Sequence, residues 1–160
     1  MFSIGDYIMY PMHGAGTIEA IEEREMMGDI CNYYVLLIPQ NVIRILIPCD
    51  KAAQIGVRSI IKMSEVDGVS EILRSASTEM AKIWNRRYRD NLEKLKTGKI
   101  AYVAEVVRDL MRVDREKHLS TGEKKMLSNA KQILISELAL VCGKGEAECD
   151  LLIETAVMAN

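Results

Sequence analysis

Apolar positions along this 160-residue chain follow two different periods, and the change falls near Ser64. Up to about residue 50 they come in short runs that alternate with polar positions or stop at proline, the pattern of half-buried strands. Asp6-Tyr7-Ile8-Met9-Tyr10 ends at Pro11, Gly16-Thr17-Ile18-Glu19-Ala20-Ile21-Glu22 alternates, Cys31–Ile38 stops at Pro39, and Val42–Ile47 stops at Pro48. Met27-Gly28-Asp29 predicts a hairpin turn between the second and third runs. Four or five short strands in about fifty residues predict a small antiparallel barrel or strongly bent sheet.

Beyond Ser64 the apolar residues recur at three and four positions, the period of a helix packed along one stripe. All three prolines (Pro11, Pro39, Pro48) precede this part, so nothing in it breaks a helix interior at the ~3 kcal/mol that proline costs. Helices are expected over Glu65–Arg74, from near Thr78 to Lys96 with Gly98 as the stop, and from near Lys99 through Ile100, Val103, Val106, Val107, Leu110 and Met111. Ser120-Thr121-Gly122-Glu123 reads as a capping box opening a helix that runs to about Val141, and Glu146–Met158 forms a last short one. The expected fold class is α+β. A β domain at 1–55 and a linker at 56–64 precede an all-α domain at 65–142 and a variable C-terminal helix or tail at 143–160. Leu151, Leu152 and Val157 of that tail suit either packing on the domain or dimerisation.

The formal charge of −2 hides a segregated distribution. Residues 82–131 carry fourteen basic and seven acidic side chains, while residues 1–64, 65–81 and 132–160 are each net acidic. A basic block between acidic flanks points to a polyanionic partner, against the plainer reading of a solvated helix face. No apolar run reaches the roughly 18 residues of a membrane span, and the N-terminus lacks the basic and apolar regions of a secretory signal. Cys31, Cys49, Cys142 and Cys149 form no C-x-x-C pair and have no histidine nearby, which argues against a zinc site or disulfide scaffold and fits a reduced cytoplasm.

Catalytic chemistry finds no support. His13 lies in a turn between strands, and the Gly14-Ala15-Gly16 beside it lacks the remainder of a nucleotide-binding loop. His118 sits at the end of a helix, and no nucleophile elbow, zinc-protease motif or calcium loop occurs. No catalytic residue, metal or cofactor is therefore assigned.

The densest cationic stretch surrounds the only tryptophan: Trp84-Asn85-Arg86-Arg87-Tyr88-Arg89. Arg108, Arg112 and Arg115 share a helix face, and Lys124, Lys125 and Lys131 follow. Trp84 has two readings. Ala81, Trp84, Tyr88, Leu92 and Leu95 form an apolar stripe if the helix opens near Thr78, which buries the indole. A helix that begins at Asn85 leaves the indole outside, an exposed wedge beside cations of the kind minor-groove binders insert between base steps.

Several blocks, in order, resemble the CarD/CdnL family of bacterial transcription regulators: Trp84-Asn85-Arg86-Arg87-Tyr88, Asn91–Leu95, Val103–Leu110, Leu119–Leu127 and Ala130–Leu134. The opening Gly5–Gly16 is similar to that family's N-terminal domain, shared with transcription-repair coupling factors. The resemblance implies a Tudor/SH3-like N-terminal domain that binds the β-subunit lobe of RNA polymerase through an exposed strand. It also implies a helical domain whose tryptophan wedges into the minor groove at the upstream edge of the melted promoter and stabilises the open complex. The DNA-contact candidates are Trp84, Arg86, Arg87, Arg89, Lys124, Lys125 and Lys131. The polymerase-contact candidates are Arg24, Arg44 and Leu46. Well-known members carry an arginine where this chain has Leu46, with Arg44 two residues earlier on the same strand face. Such a protein acts as a monomer on polymerase in the cytoplasm, without a membrane partner, making weak and largely sequence-tolerant contacts with promoter DNA. From the residues alone, the alternative is a protein-interaction module whose basic helices bind an acidic protein without DNA.

Overall fold

The computed structural model describes residues 1–40 and 42–159; Asn160, the last residue of the expected tail, lies outside them. A five-stranded antiparallel sheet is formed by β1 (Tyr7–Tyr10), β2 (Gly14–Met26), β3 (Asp29–Ile38), β4 (Ile43–Pro48) and β5 (Arg58–Ser59), in the order β4-β3-β2-β1-β5. A single turn of helix, α1 (Ala52–Ile55), leads into β5. After a 3₁₀ turn at Met63–Glu65 come α2 (Val66–Arg74), α3 (Trp84–Lys96), α4 (Ile100–Glu116), α5 (Thr121–Cys142) and α6 (Glu146–Met158).

The β2–β3 hairpin is longer than the alternation predicts because its turn is as tight as a hairpin allows. Met27 and Gly28 both have positive φ, 53° and 86°, the backbone of a two-residue turn whose twist matches the strands it joins. Pairing therefore continues out to Met26 opposite Asp29. A bulge at Glu19, between Ile18 and Ala20, bends β2.

Alternation along β1 serves two cores. Ile8 faces the sheet's own core with Ile18, Tyr34, Leu36, Ile38 and Ile47, while Met9 joins Ala15 in the core of the helical part. There Val103, Val106, Val107 and Leu110 of α4 meet Ala130, Ile133 and Leu134 of α5. On α6, Cys149, Ile153 and Val157 pack into the same core, so this helix is docked on the domain, with Leu151 and Leu152 facing solvent.

The stretch expected as a linker, 56–64, is a structural joint. Its Arg58–Ser59 completes the sheet against β1. The Arg58 guanidinium then grips Glu137 of α5 at 2.7 and 2.8 Å and donates to the Gly98 carbonyl, while the Ile61 amide donates to Glu137 at 2.9 Å. Ala15 N–H donates to Ser136 Oγ at 2.9 Å. Gly98, at φ +70°, lies so close to Pro11 that a Cβ there would sit 2.6 Å from the ring. Sheet and helices are thus fastened as one body.

Glu137 is 1% exposed and satisfies three donors, so its removal strands Arg58 and the Ile61 amide together. Glu137→Ala is expected to destabilise the fold by about 3 kcal/mol, the lower end for breaking a buried pair because Arg58 keeps some solvent. Urea unfolding should show a single transition moved to lower midpoint; an unmoved midpoint would mean that this joint does not hold the two parts.

Candidate nucleic-acid interface and sheet edge

The helix carrying the tryptophan starts at Trp84 itself, six residues later than the expected opening near Thr78. The reason lies on α4. Arg108 donates to Thr78 Oγ1 at 2.9 Å and to the Ile72 carbonyl, and Asp109 Oδ1 accepts from the Thr78 amide at 3.1 Å. Arg112 donates to the Ser75 carbonyl at 2.7 Å, to Ser77 Oγ at 2.9 Å and to the carbonyls of Leu73 and Val157. Held by side chains, residues 75–78 cannot form a helical turn, and the chain runs on as an irregular strap to Ile83. Two of the three arginines that share a face of α4, Arg108 and Arg112, are therefore taken up by the protein's own backbone and hydroxyls, while the exposed Arg115 approaches only Met158 Sδ, at 3.0 Å.

With this start, Trp84 occupies the first position of α3, at the open end of the stripe that continues through Tyr88, Leu92 and Leu95. Its indole is 55% exposed, and the preceding Ile83, which caps the helix without a side-chain hydrogen bond, is 67% exposed. Two adjacent apolar side chains thus project from an uncapped helix end. Ile83 escaped the sequence reading, which named Trp84 alone as the apolar wedge whichever start the helix used.

The cations sort into two groups. Arg86, Arg89, Lys124 and Lys125 are exposed and make no ion pair among the described residues. Arg87 is different, and its assignment as a DNA contact is corrected. It is 8% exposed and clamps the fully buried Glu123 at 2.6 and 2.7 Å. Glu123 also closes the capping box at the start of α5, as the third residue of the helix. Ser120 Oγ accepts its amide at 3.2 Å, but its carboxylate turns toward Arg87 and joins α3 to α5. Lys131 is likewise engaged, bridging to Asp150 at 2.7 Å and Glu154 at 3.0 Å of α6. Burial works against its charge, but the two carboxylates outweigh it and raise its pKa. Lys94 pairs with Glu105 at 3.4 Å rather than with Asp90 one turn away.

On the sheet, register brings three further candidates to one face. Arg24 lies opposite Cys31, Leu46 opposite Val35 and Arg44 opposite Leu37, and these positions alternate on the same side of β2, β3 and β4. Arg24 is exposed and pairs with Glu22 at 2.9 Å; Arg44 is exposed and reaches Glu19, at the bulge, at 2.8 Å. β4 is an outer strand with no partner on its far side, and Val42, Ile43 and Leu46 leave apolar surface exposed along it. An unpaired edge of this kind is a template for a strand from another chain.

The described residues hold no cluster of histidine, cysteine and carboxylate suited to a metal ion, and none of the described helices is long and apolar enough to cross a membrane.

The Arg87–Glu123 pair carries a pH signature. The Arg87 guanidinium, with help from Ser120, holds the Glu123 carboxyl below its ordinary range despite burial, and Glu123 raises Arg87 in turn. A carboxyl depressed in the folded state stabilises the fold fully above its unfolded value of about 4.3, and that contribution is lost as pH falls through the lower folded value. Arg87→Ala should cost about 3–5 kcal/mol at pH 7, where Arg86→Ala stays within about 0.5 kcal/mol, and much of the difference should vanish in acid. Denaturant titrations at pH 7 and pH 3 measure this; equal effects of the two substitutions at pH 7 would contradict the buried role of Arg87.

The family model described as "CarD, C-terminal domain" matches residues 68–154, and that described as "CarD-like/TRCF RID domain" matches residues 2–61. A protein of Bacillus subtilis (strain 168) named "Putative transcription factor YdeB" is 43% identical over 148 residues, which cover 92% of this chain and 97% of that protein.

Proposed function

This chain belongs to the CarD family of transcription regulators, and we propose that it docks on the β-subunit lobe of RNA polymerase through the β4 edge and steadies the open promoter complex with Trp84. The observation that carries the reading is the exposed indole at the start of α3, with four exposed cations near the starts of α3 and α5 that make no ion pair among the described residues.

The energetics favour a wedge that acts only on DNA already opening. A tryptophan buries about 150–250 Å² when fully enclosed, and slightly more than half of that surface is still available at Trp84, worth about 3 kcal/mol. Unstacking an intact base step costs a few kcal/mol, so insertion into closed duplex breaks even at best. At the edge of a melted region that cost has been met by the polymerase. The indole then favours the open state over the closed one, and each 1.4 kcal/mol of preference shifts the equilibrium about tenfold.

Arg86, Arg89, Lys124 and Lys125 meeting four phosphates give a salt exponent near −3.6, a loss of about 150-fold in affinity between 50 and 200 mM salt. Free in solution such binding is too weak to select promoters. Held on polymerase, the same surface sees DNA at an effective concentration of order 1 mM, which fills a 100 μM site to about 90%. The sheet supports that tether: Leu46 and Ile43 offer apolar contact along the β4 edge, with Arg44 and Arg24 on the same face as Leu46. The surroundings of this activity are the cytoplasm and its transcribing polymerase.

Trp84→Ala removes a side chain that holds little of the core. Its melting should match that of the wild type to within about 0.5 kcal/mol, while the lifetime of an open complex formed by polymerase with the full-length chain falls about tenfold. Leu46→Glu should abolish capture by the isolated β lobe. A Trp84→Ala protein that sustains the wild-type lifetime, or a wild-type chain that the β lobe does not retain, would defeat the proposal.

A further inference from the structure

We propose that the groove between α3 and α5, one helical turn from Trp84, receives an unpaired nucleobase from the melted DNA. This deepens the reading above and rests on it. The groove is a cleft of about 290 Å³, near the small end of ligand sites and suited to a single planar ring system. One wall is Tyr88 and Leu92 of α3; the other is Lys125 and Asn129 of α5; Met12, from the β1–β2 turn, also lines it, above the buried Leu95 and Met126.

Each wall has chemistry that a base uses. Tyr88 is half-buried, and its ring edge lies against Gly122, where an added Cβ would meet it at 3.8 Å. A steadied phenol face is a stacking platform, and base–aromatic stacking is tolerant of base identity. Asn129 is exposed and its amide has no hydrogen-bond partner among the described residues, leaving a donor and an acceptor side by side for a base edge. The Lys125 ammonium, likewise unpaired among the described residues, stands at the rim for the attached phosphate. No carboxylate lines the cleft, so its charge matches nucleic acid rather than a basic peptide. Met12 is held at φ 72°, an uncommon conformation for a residue other than glycine, and its flexible thioether adds an adaptable apolar group to the lining.

Position completes the argument. Trp84 and Tyr88 are four residues apart on α3 and therefore neighbours along the same face. A base leaving the stack beside the indole has Tyr88 as the next aromatic surface along the helix. The wedge separates and the groove retains, which gives the opened strand somewhere to stay.

The test uses the full-length chain at 50 mM salt with forked oligonucleotides in which the first unpaired position of either strand carries a base or an abasic site. The expected result is an at least fivefold loss of affinity for the abasic fork on one strand. That ratio should fall toward one in Asn129→Ala and Tyr88→Leu, with circular-dichroism melts showing that both variants fold. Asn129 is on the surface, so at least that variant keeps the test sound. A fork bound equally well with and without the base overturns the groove assignment alone. Failure to bind either fork overturns the DNA-contact reading as well.

Discussion

Two arginines on α4 decide what the rest of the molecule can do. By taking up the last carbonyls of α2 and gripping Ser75, Ser77 and Thr78, Arg108 and Arg112 deny residues 75–78 a helical backbone and postpone the start of α3 to Trp84. A helix opened at Thr78 would place the indole within a buried stripe, one turn below Ala81. Opened at Trp84, it places an apolar aromatic group at a terminus where no neighbouring turn covers it. Arg108 is itself almost fully buried, and burial lowers the pKa of Arg112 with Arg108 adding its repulsion. Such crowded cations are tolerable because each finds several acceptors, and removing any acceptor would leave a charged group short of partners.

This dependence explains what was legible in the sequence and what was not. Elements whose limits are set locally were readable: β1 against Pro11, α5 from its Ser120 cap, and α6 from its glycines. The two-part α+β layout followed from the change of period. The start of α3 was not readable, because residues thirty and more positions later determine it. The joint at 56–64 was equally hidden, since two residues of strand leave no periodic mark and their partner Glu137 is 79 residues from Arg58. Charge counting gave the basic block but not its membership. Arg86 and Arg87 are indistinguishable in sequence, yet the 100° between adjacent helix positions leaves one in solvent and sends the other into Glu123.

The same sorting changes the meaning of the basic block. Of its cations, Arg87, Arg108, Arg112 and Lys131 hold the protein together, and Lys94 is paired as well. What remains for an external anion includes a row near the starts of α3 and α5 (Arg86, Arg89, Lys124 and Lys125), with Lys82, Lys99, Arg115 and Lys117 exposed elsewhere on the block. Those two helix ends are brought side by side by the Arg87–Glu123 pair, so the structural arginine is what gathers the exposed ones. A buried ion pair is weak evidence for stability, given the desolvation it demands, and a better account of it here is positional. It fixes the angle at which Trp84, Lys124 and Lys125 are presented together.

Fastening the sheet to the helices has a comparable consequence. A flexible linker would let the sheet and the helical surface find their targets independently, at the expense of ordering the linker on each engagement. Arg58, Glu137, Ser136 and the Gly98–Pro11 contact remove that freedom beforehand. The β4 edge and the indole are then related by a fixed geometry, and a partner that holds the first sets the position of the second without a search. Rigidity of this kind concentrates a modest interaction at one place. On the proposed reading, a few kcal/mol at Trp84, negligible against the many competing sites on free DNA, would suffice if the indole met only the segment that polymerase had already begun to open.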